Sequence, residues 1–240
     1  MQRELGEIRR TVEKYRMISK NACVAVGVSG GKDSLALLYL LAELRRIIPF
    51  TLKAVFLKLS PLADPGPIER LCDSLSVPLT VIGTDFASTL LDAPHPCAKC
   101  AYLRRGMLVK AAKEAGCDLL ALGHHREDAE ETLLMNILEG GRMETLRPVA
   151  VMEREGLRVI RPAIRLSEES LRAIAEREHL PVMKSLCPYD GKGRRADMKR
   201  ILAALEKECP GAKEQLLAAV AKKLWDGEKE TDKETDKETE

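Results

Sequence analysis

The stretch CVAVGVSGGKDS, residues 23–34, limits what this chain can fold into more than any other feature. Six largely apolar residues run straight into paired glycines, and an apolar segment with helical spacing, Lys32 to Arg46, follows before Pro49. A strand feeding a glycine turn and then a helix is the opening unit of a parallel sheet, whose strands are buried on both faces. The rhythm repeats. TLKAVFLKL reads as a strand, Pro67 to Ser76 as a short helix, PLTVIG as a strand, and the loop APHPCAKC leads into a helix through Gly116. DLLALGHH then reads as a strand and Arg126 to Glu139 as a helix. After Arg142 the pattern weakens to one strand, LRVIRP, and helices near 167–179, 194–208 and 211–225. Leu5, Ile8, Val12 and Tyr15 sit at helical spacing and mark an amphipathic first helix. An α/β fold with a parallel sheet and a helical C-terminal extension is expected. It divides into a helix at 1–20, an α/β domain at 21–165, an extension at 166–226 that carries Cys187, and a tail at 227–240.

From Glu228 onward that tail, EKETDKETDKETE, has no apolar residue, carries seven acids against three lysines, and is expected to be disordered. Because the whole chain has a net charge of +2, residues 1–227 carry +6, a balance that favours a polyanionic partner. Aromatic residues make up only 3%, so a nucleic acid is expected to be held by Arg and Lys more than by stacked rings. No apolar run of about 18 residues is present for a membrane span. The charged N-terminus, MQRELGEIRRTVEKYRM, also lacks the apolar stretch of a secretory signal. A cytoplasmic protein with no membrane partner is expected, its seven cysteines reduced or metal-bound and not in disulfides.

SGGKDS, Ser29 to Ser34, has the composition of a phosphate cradle. Gly30 and Gly31 leave room for oxygens to approach, and successive backbone N–H groups at a helix N-terminus attract an anion. Ser29 and Ser34 can donate hydroxyl hydrogen bonds, Lys32 can offset phosphate charge, and Asp33 can hold magnesium or orient the loop. The second half of the site is GHHREDAEETLLMNILEGGR, at the carboxyl end of a strand, where ligands of open α/β sheets gather. Gly123 and His124 complete the ATP and pyrophosphate set. His124, Asp128 and Thr132 recur every fourth residue and are expected on one helix face, with Asp128 holding magnesium or a substrate group. Lys32, Asp33 and Asp128 are the catalytic candidates. His125, Glu127, Glu130 and Glu131 are expected on a solvated face.

Cys97 and Cys100 form a CxxC at the start of a helix, where thiolates are stabilised. Cys187 lies in SLCPYDGKGRR, a basic loop-like segment. Three thiolates suit an iron–sulfur cluster with one iron open; with His95 or Cys117 the same residues suit zinc, and the CxxC alone suits redox chemistry. Cys23, Cys72, Cys117 and Cys209 read as packing residues. Arg104, Arg105, Lys192, Arg194, Arg195 and Lys199 flank these cysteines and are candidates for RNA contact.

Taken together, SGGKDS, the CxxC followed by LRRG, the block GHHREDAEETLLMNILEGG, and RPAIR before a helix resemble the tRNA 2-thiocytidine biosynthesis family in order and spacing. That family lies within the PP-loop ATP pyrophosphatase superfamily. The resemblance runs from the first helix to about residue 205. It implies a Rossmann-like sheet of the adenine nucleotide alpha-hydrolase type and a [4Fe–4S] cluster on Cys97, Cys100 and Cys187. It further implies adenylation of an anticodon-loop base with ATP and Mg2+, then attack by sulfide. The partners implied are tRNA, a sulfur donor (cysteine desulfurase or free sulfide) and a second copy of the chain. Two features depart from the family pattern. Members often carry a second CxxC where this chain has Cys187 alone, and Arg104 stands where related thiouridine synthetases have lysine. A lysidine-type tRNA ligase or an adenylating amidotransferase partner would share the loop without needing the cysteines. A zinc-stabilised RNA-binding module would use the cysteines without turnover.

Overall fold

The computed structural model describes residues 2–60, 62–84, 96–187, 189, 191 and 193–226. The acidic repeat, His95 and Lys192 lie outside them. In chain order the elements are α1 (Gln2–Lys14), β1 (Cys23–Val28), α2 (Lys32–Leu44), β2 (Thr51–Lys58), α3 (Gly66–Ser74), β3 (Leu79–Gly83) and α4 (Pro96–Glu114). There follow β4 (Leu119–Ala121), α5 (Arg126–Gly140), β5 (Val149–Met152), β6 (Leu157–Ile160), α6 (Glu168–Arg177), α7 (Arg194–Glu208) and α8 (Ala212–Val220). A π-helical turn, Ala221–Trp225, ends the last helix.

The six strands form one sheet in the order β3-β2-β1-β4-β6-β5, parallel throughout except for β5, which pairs antiparallel with β6. Alternation along β1 explains the layering. Val24, Val26 and Val28 enter a core with α1, α2, α3 and α6, whereas Ala25 faces a second core with α4. Helix α2 is buried almost all round, from Ser34 and Leu35 to Leu44, because β1 lies on one side and α6 on the other. That packing holds the loop before α2 at the end of β1. The sequence reading missed β5. Its four residues, VAVM, are too short to show alternation, and a turn with Gly156 at φ +60° folds them back onto β6.

The chain forms two compact units: Met1–His125 with Val149–Asp190, and Arg126–Pro148 with Gly191–Glu240. This differs from the division expected at residue 165. Helix α6 belongs with the sheet, since Leu171, Ile174 and Ala175 are buried against the α2 side of it. Helix α5 belongs instead with α7 and α8. In that second unit, Leu133, Met198, Leu202, Leu217, Val220 and Trp225 are buried, and the Trp225 Nε1–H donates to the Leu146 carbonyl at 3.0 Å.

One expectation about the cysteines is overturned. Cys23 and Cys117 are joined in a disulfide and are not separate packing thiols. Val24 pairs with Leu119 between the neighbouring strands β1 and β4, which brings Cys23, one residue before Val24, beside Cys117, two residues before Leu119, with Cα atoms 4.6 Å apart.

Candidate active site

The phosphate loop is held by its own serines. Ser34 Oγ donates to the Gly31 carbonyl at 2.9 Å and accepts the Ser29 N–H at 3.1 Å. A hydroxyl has one proton, so in the 3.2 Å contact between the two serine oxygens Ser29 is the donor. The seryl hydroxyls expected to reach phosphate are therefore engaged within the turn. The backbone N–H groups of the first turn of α2 remain, for Gly31 caps that helix with no side-chain hydrogen bond. Gly30 sits at φ +81°, in the left-handed region that disfavours any side chain, and its carbonyl accepts the Met183 N–H at 2.9 Å. A methyl group on Gly31 would touch only Ser29 Oγ, at 3.4 Å. Its bareness keeps space open above the loop.

Lys32 lies between two carboxylates, with Asp33 Oδ2 at 3.1 Å and Glu168 Oε1 at 3.0 Å. Burial alone would lower the Lys32 ammonium pKa, but the Glu168 and Asp33 carboxylates outweigh it and hold the pKa above its ordinary value. Asp33 Oδ1 is buried without a hydrogen-bond partner among the described residues. An orphaned carboxylate oxygen beside a phosphate-binding turn fits a divalent cation such as magnesium. Glu168 is absent from the expected site; the only sign of it in the sequence is an acid just after Ser167, which caps α6 by accepting the Ser170 N–H.

At the end of β4, Gly123 lies against the loop: a Cβ there would come within 3.0 Å of the backbone of Ser34. His124 precedes α5, which begins at Arg126, so it does not share a helix face with Asp128 and Thr132 as expected. Arg161, only 7% exposed, donates from Nε to His124 Nδ1 at 3.3 Å. A nitrogen that accepts cannot carry a proton, so this contact leaves the His124 proton on Nε2. Arg161 is a second residue the expected site lacks, although it opens the RPAIR motif.

Cys97 and Cys187 are exposed and Cys100 is half-buried. Burial pushes the Cys100 thiol up, the Arg104 guanidinium pulls it back through charge and a hydrogen bond, and the nearby Cys187 and Cys97 push it up further. Cys97 and Cys187 thus both lie within electrostatic reach of Cys100, and Arg104, a candidate for RNA contact, is turned to Cys100. Among the described residues no three His, Cys, Asp or Glu side chains are close enough to hold a metal ion. The donor set fits an iron–sulfur cluster in kind, three thiolates leaving one iron open, and ligation requires the exposed Cys97 and Cys187 to close on Cys100.

In the second unit, Asp128 Oδ1 faces Arg195 at 3.4 Å, and Arg195 also reaches Glu131 at 3.6 Å. Arg194 pairs with Glu139 and Asp197. Two of the expected RNA-binding arginines therefore brace α7 against α5, and Lys199 lies exposed on α7. The expected solvated face of α5 is in fact its packed face: Glu130 is 1% exposed, Glu131 5%, and neighbouring His125 6%. Among the described residues neither Glu130 oxygen has a hydrogen bond, and Arg126 Nε stands 3.7 Å from Oε1. Burial, followed by the Glu127 charge, pushes the Glu130 pKa up to about 7, against the opposing pull of Arg126 and Lys213. Between its ordinary value and about 7 the folded chain keeps a proton that the unfolded chain has released, so stability falls as pH rises through that window. Glu130→Gln is expected to raise the melting temperature by about 5 °C at pH 8 and to leave it nearly unchanged at pH 4.5. Melting curves at the two pH values check this.

A parallel sheet ending in this loop, with an uncapped helix N-terminus above it, defines a nucleotide-phosphate-binding α/β protein. The PP-loop domain family matches residues 2–200. The tRNA-cytidine(32) 2-sulfurtransferase of Anaeromyxobacter dehalogenans is 37% identical over 226 residues, covering 89% of this chain and 77% of that protein. That of Syntrophotalea carbinolica is 33% identical over 224 residues, covering 88% and 85%. Among solved structures, the U34-tRNA thiolase NcsA from Methanococcus maripaludis with its [4Fe–4S] cluster aligns with a TM-score of 0.75 at 27% identity, over 90% of this chain and 77% of that one. The chain belongs to the PP-loop family of the tRNA-cytidine(32) 2-sulfurtransferases.

Proposed function

We propose that this protein is a cytoplasmic enzyme that replaces the 2-oxygen of a tRNA cytidine, position 32 as in its relatives, with sulfur at the expense of ATP. The observation that carries this reading is a phosphate-binding loop in one compact unit with Cys97, Cys100 and Cys187, where Cys100 feels the charge of both other cysteines. The base carbonyl oxygen attacks the α-phosphorus of ATP, and pyrophosphate departs. Sulfur from a sulfide-class donor then bonds to the base carbon, and the carbon–oxygen bond breaks with AMP as leaving group. The N–H groups at the start of α2 hold the departing pyrophosphate, and Lys32 offsets its growing charge once phosphate competes with Glu168. Asp33 would hold magnesium through Oδ1. His124, oriented by Arg161, presents an N–H donor. Asp128 is the acidic candidate of the second unit. Cys97, Cys100 and Cys187 would hold the cluster, which when bound supplies an iron site for sulfide. The target base must leave its stack, which costs least in an anticodon loop. Cysteine desulfurase or free sulfide as donor, and a homodimer, complete the proposal.

The test combines purified protein, ATP, a sulfide source and unmodified tRNA transcript. Release of AMP and pyrophosphate that requires tRNA, together with 2-thiocytidine in the digested product, is expected. Release of ADP and phosphate, or turnover that requires lysine and leaves the RNA without sulfur, overturns the reading. Gly31→Ala is expected to melt as the wild type does, because its Cβ meets so little, while losing at least tenfold in ATP-dependent turnover.

A further inference from the structure

We infer that the outer face of α4 is the surface on which tRNA docks, with Tyr102 as the platform for an unpaired base; this rests on the tRNA reading above. Helix α4 buries Ala111 and Ala112 against the sheet, with Cys100, Arg104, Met107 and Leu108 half-buried on the same side, and Val109 is buried at the edge between the two sides. The opposite side is exposed and carries Lys99, Tyr102, Gly106, Lys110 and Lys113 at successive spacings of three or four residues, a single stripe about 21 Å long. The helix holds five basic residues against one acid, Glu114. Lys110 leans to Glu114 at 3.8 Å with both side chains well exposed, a pairing too weak to cancel its charge. Lys99 and Lys113 have no ion-pair partner among the described residues. This separates the stripe from Arg194 and Arg195, whose charges already meet carboxylates.

Tyr102 is 69% exposed and is the only exposed aromatic residue among those described; Phe50, Phe56 and Trp225 are buried and the other tyrosines are half-buried. It rims a shallow recess of about 360 Å³ with Ala98, Lys99 and Leu103. A large ring left in water on a cationic stripe, two residues beyond Cys100, has the two elements of single-stranded RNA binding: a backbone track of positive charge and a stacking face. Gly106, where an added Cβ meets nothing within 4 Å, lets a backbone lie close to the helix.

The experiment measures the dissociation constant of the full-length protein for unmodified tRNA transcript against salt concentration. Tyr102→Ala is expected to weaken binding about tenfold without changing the salt slope, and Tyr102→Phe to restore most of the affinity. A Lys99→Ala, Lys110→Ala, Lys113→Ala triple variant is expected to lower the log–log slope by about 2, because each phosphate left without its lysine removes about 0.7. Wild-type affinity and slope in both variants would place tRNA elsewhere and overturn this surface, while the tRNA reading stands. The same result with impaired sulfur delivery from a donor protein would give the face to that donor. Failure of the wild type to bind tRNA would overturn the tRNA reading itself, and the surface with it.

Discussion

Cys187→Ala protein, purified without oxygen, is expected to carry no brown chromophore and to transfer sulfur at background level. It should bind ATP within about twofold of the wild type, since the phosphate loop is held by its own hydrogen bonds and none of them involves Cys187. The cysteine inventory makes the effect all-or-none. Cys23 and Cys117 are bonded to each other, and Cys72 is buried at the α3 contact with its thiol pushed up to about 11 by burial. Cys209 ends α7 in the second unit. Only Cys97, Cys100 and Cys187 remain, and Cys100 senses both of the others. Losing any one leaves two thiolates of the set. Iron and sulfide analysis, the visible absorption spectrum and an ATP titration check the three parts separately. A colourless Cys187→Ala protein that still thiolates tRNA would defeat the cluster and favour zinc.

The strand–turn–helix opening was legible because both its signals are local: an apolar run and a pair of glycines. The same holds for the CxxC helix and for α6 and α7, whose stripes and capping residues lie within the segment. What escaped depends on contacts distant in sequence. Glu130 and Glu131 look like a solvated face because neighbouring charges argue for water; nothing local shows that α7 and α8 cover that side. Likewise Glu168 reaches Lys32, and Arg161 reaches His124, only after the sheet has brought the ends of their segments together. The Cys23–Cys117 pair required the register of β1 on β4. Periodicity reports which face is apolar, but not which neighbour a charged side chain meets.

Gly123→Ala shows how tightly that sheet geometry constrains the site. Alanine suits the backbone at this position, so conformation alone raises no objection. Space does. A methyl group there would meet Ser34 Cα and N at 3.0 Å and the Asp33 carbonyl carbon at 3.1 Å, all of them backbone atoms in the first turn of α2. That turn cannot retreat, because Leu35, Leu37 and Leu38 behind it are fully buried and Ser34 is tied to Gly31 and Ser29. Gly30→Ala differs: its Cβ meets a side chain, Met183, at Sδ, Cγ and Cβ and no backbone atom, and the positive φ adds its own penalty. For Gly123→Ala the strain of overpacking is about 1–3 kcal/mol. It falls on the N–H groups proposed to hold pyrophosphate, so an ATP affinity at least tenfold weaker is expected with only modest loss of melting temperature. Gly83→Ala, on the edge strand β3 with nothing within 4 Å of the new Cβ, serves as the control and should bind ATP normally. ATP titration and melting curves on the three variants decide the matter. Wild-type ATP affinity in Gly123→Ala would mean that the start of α2 does not hold the nucleotide, and the pyrophosphate assignment of the loop would fall with it.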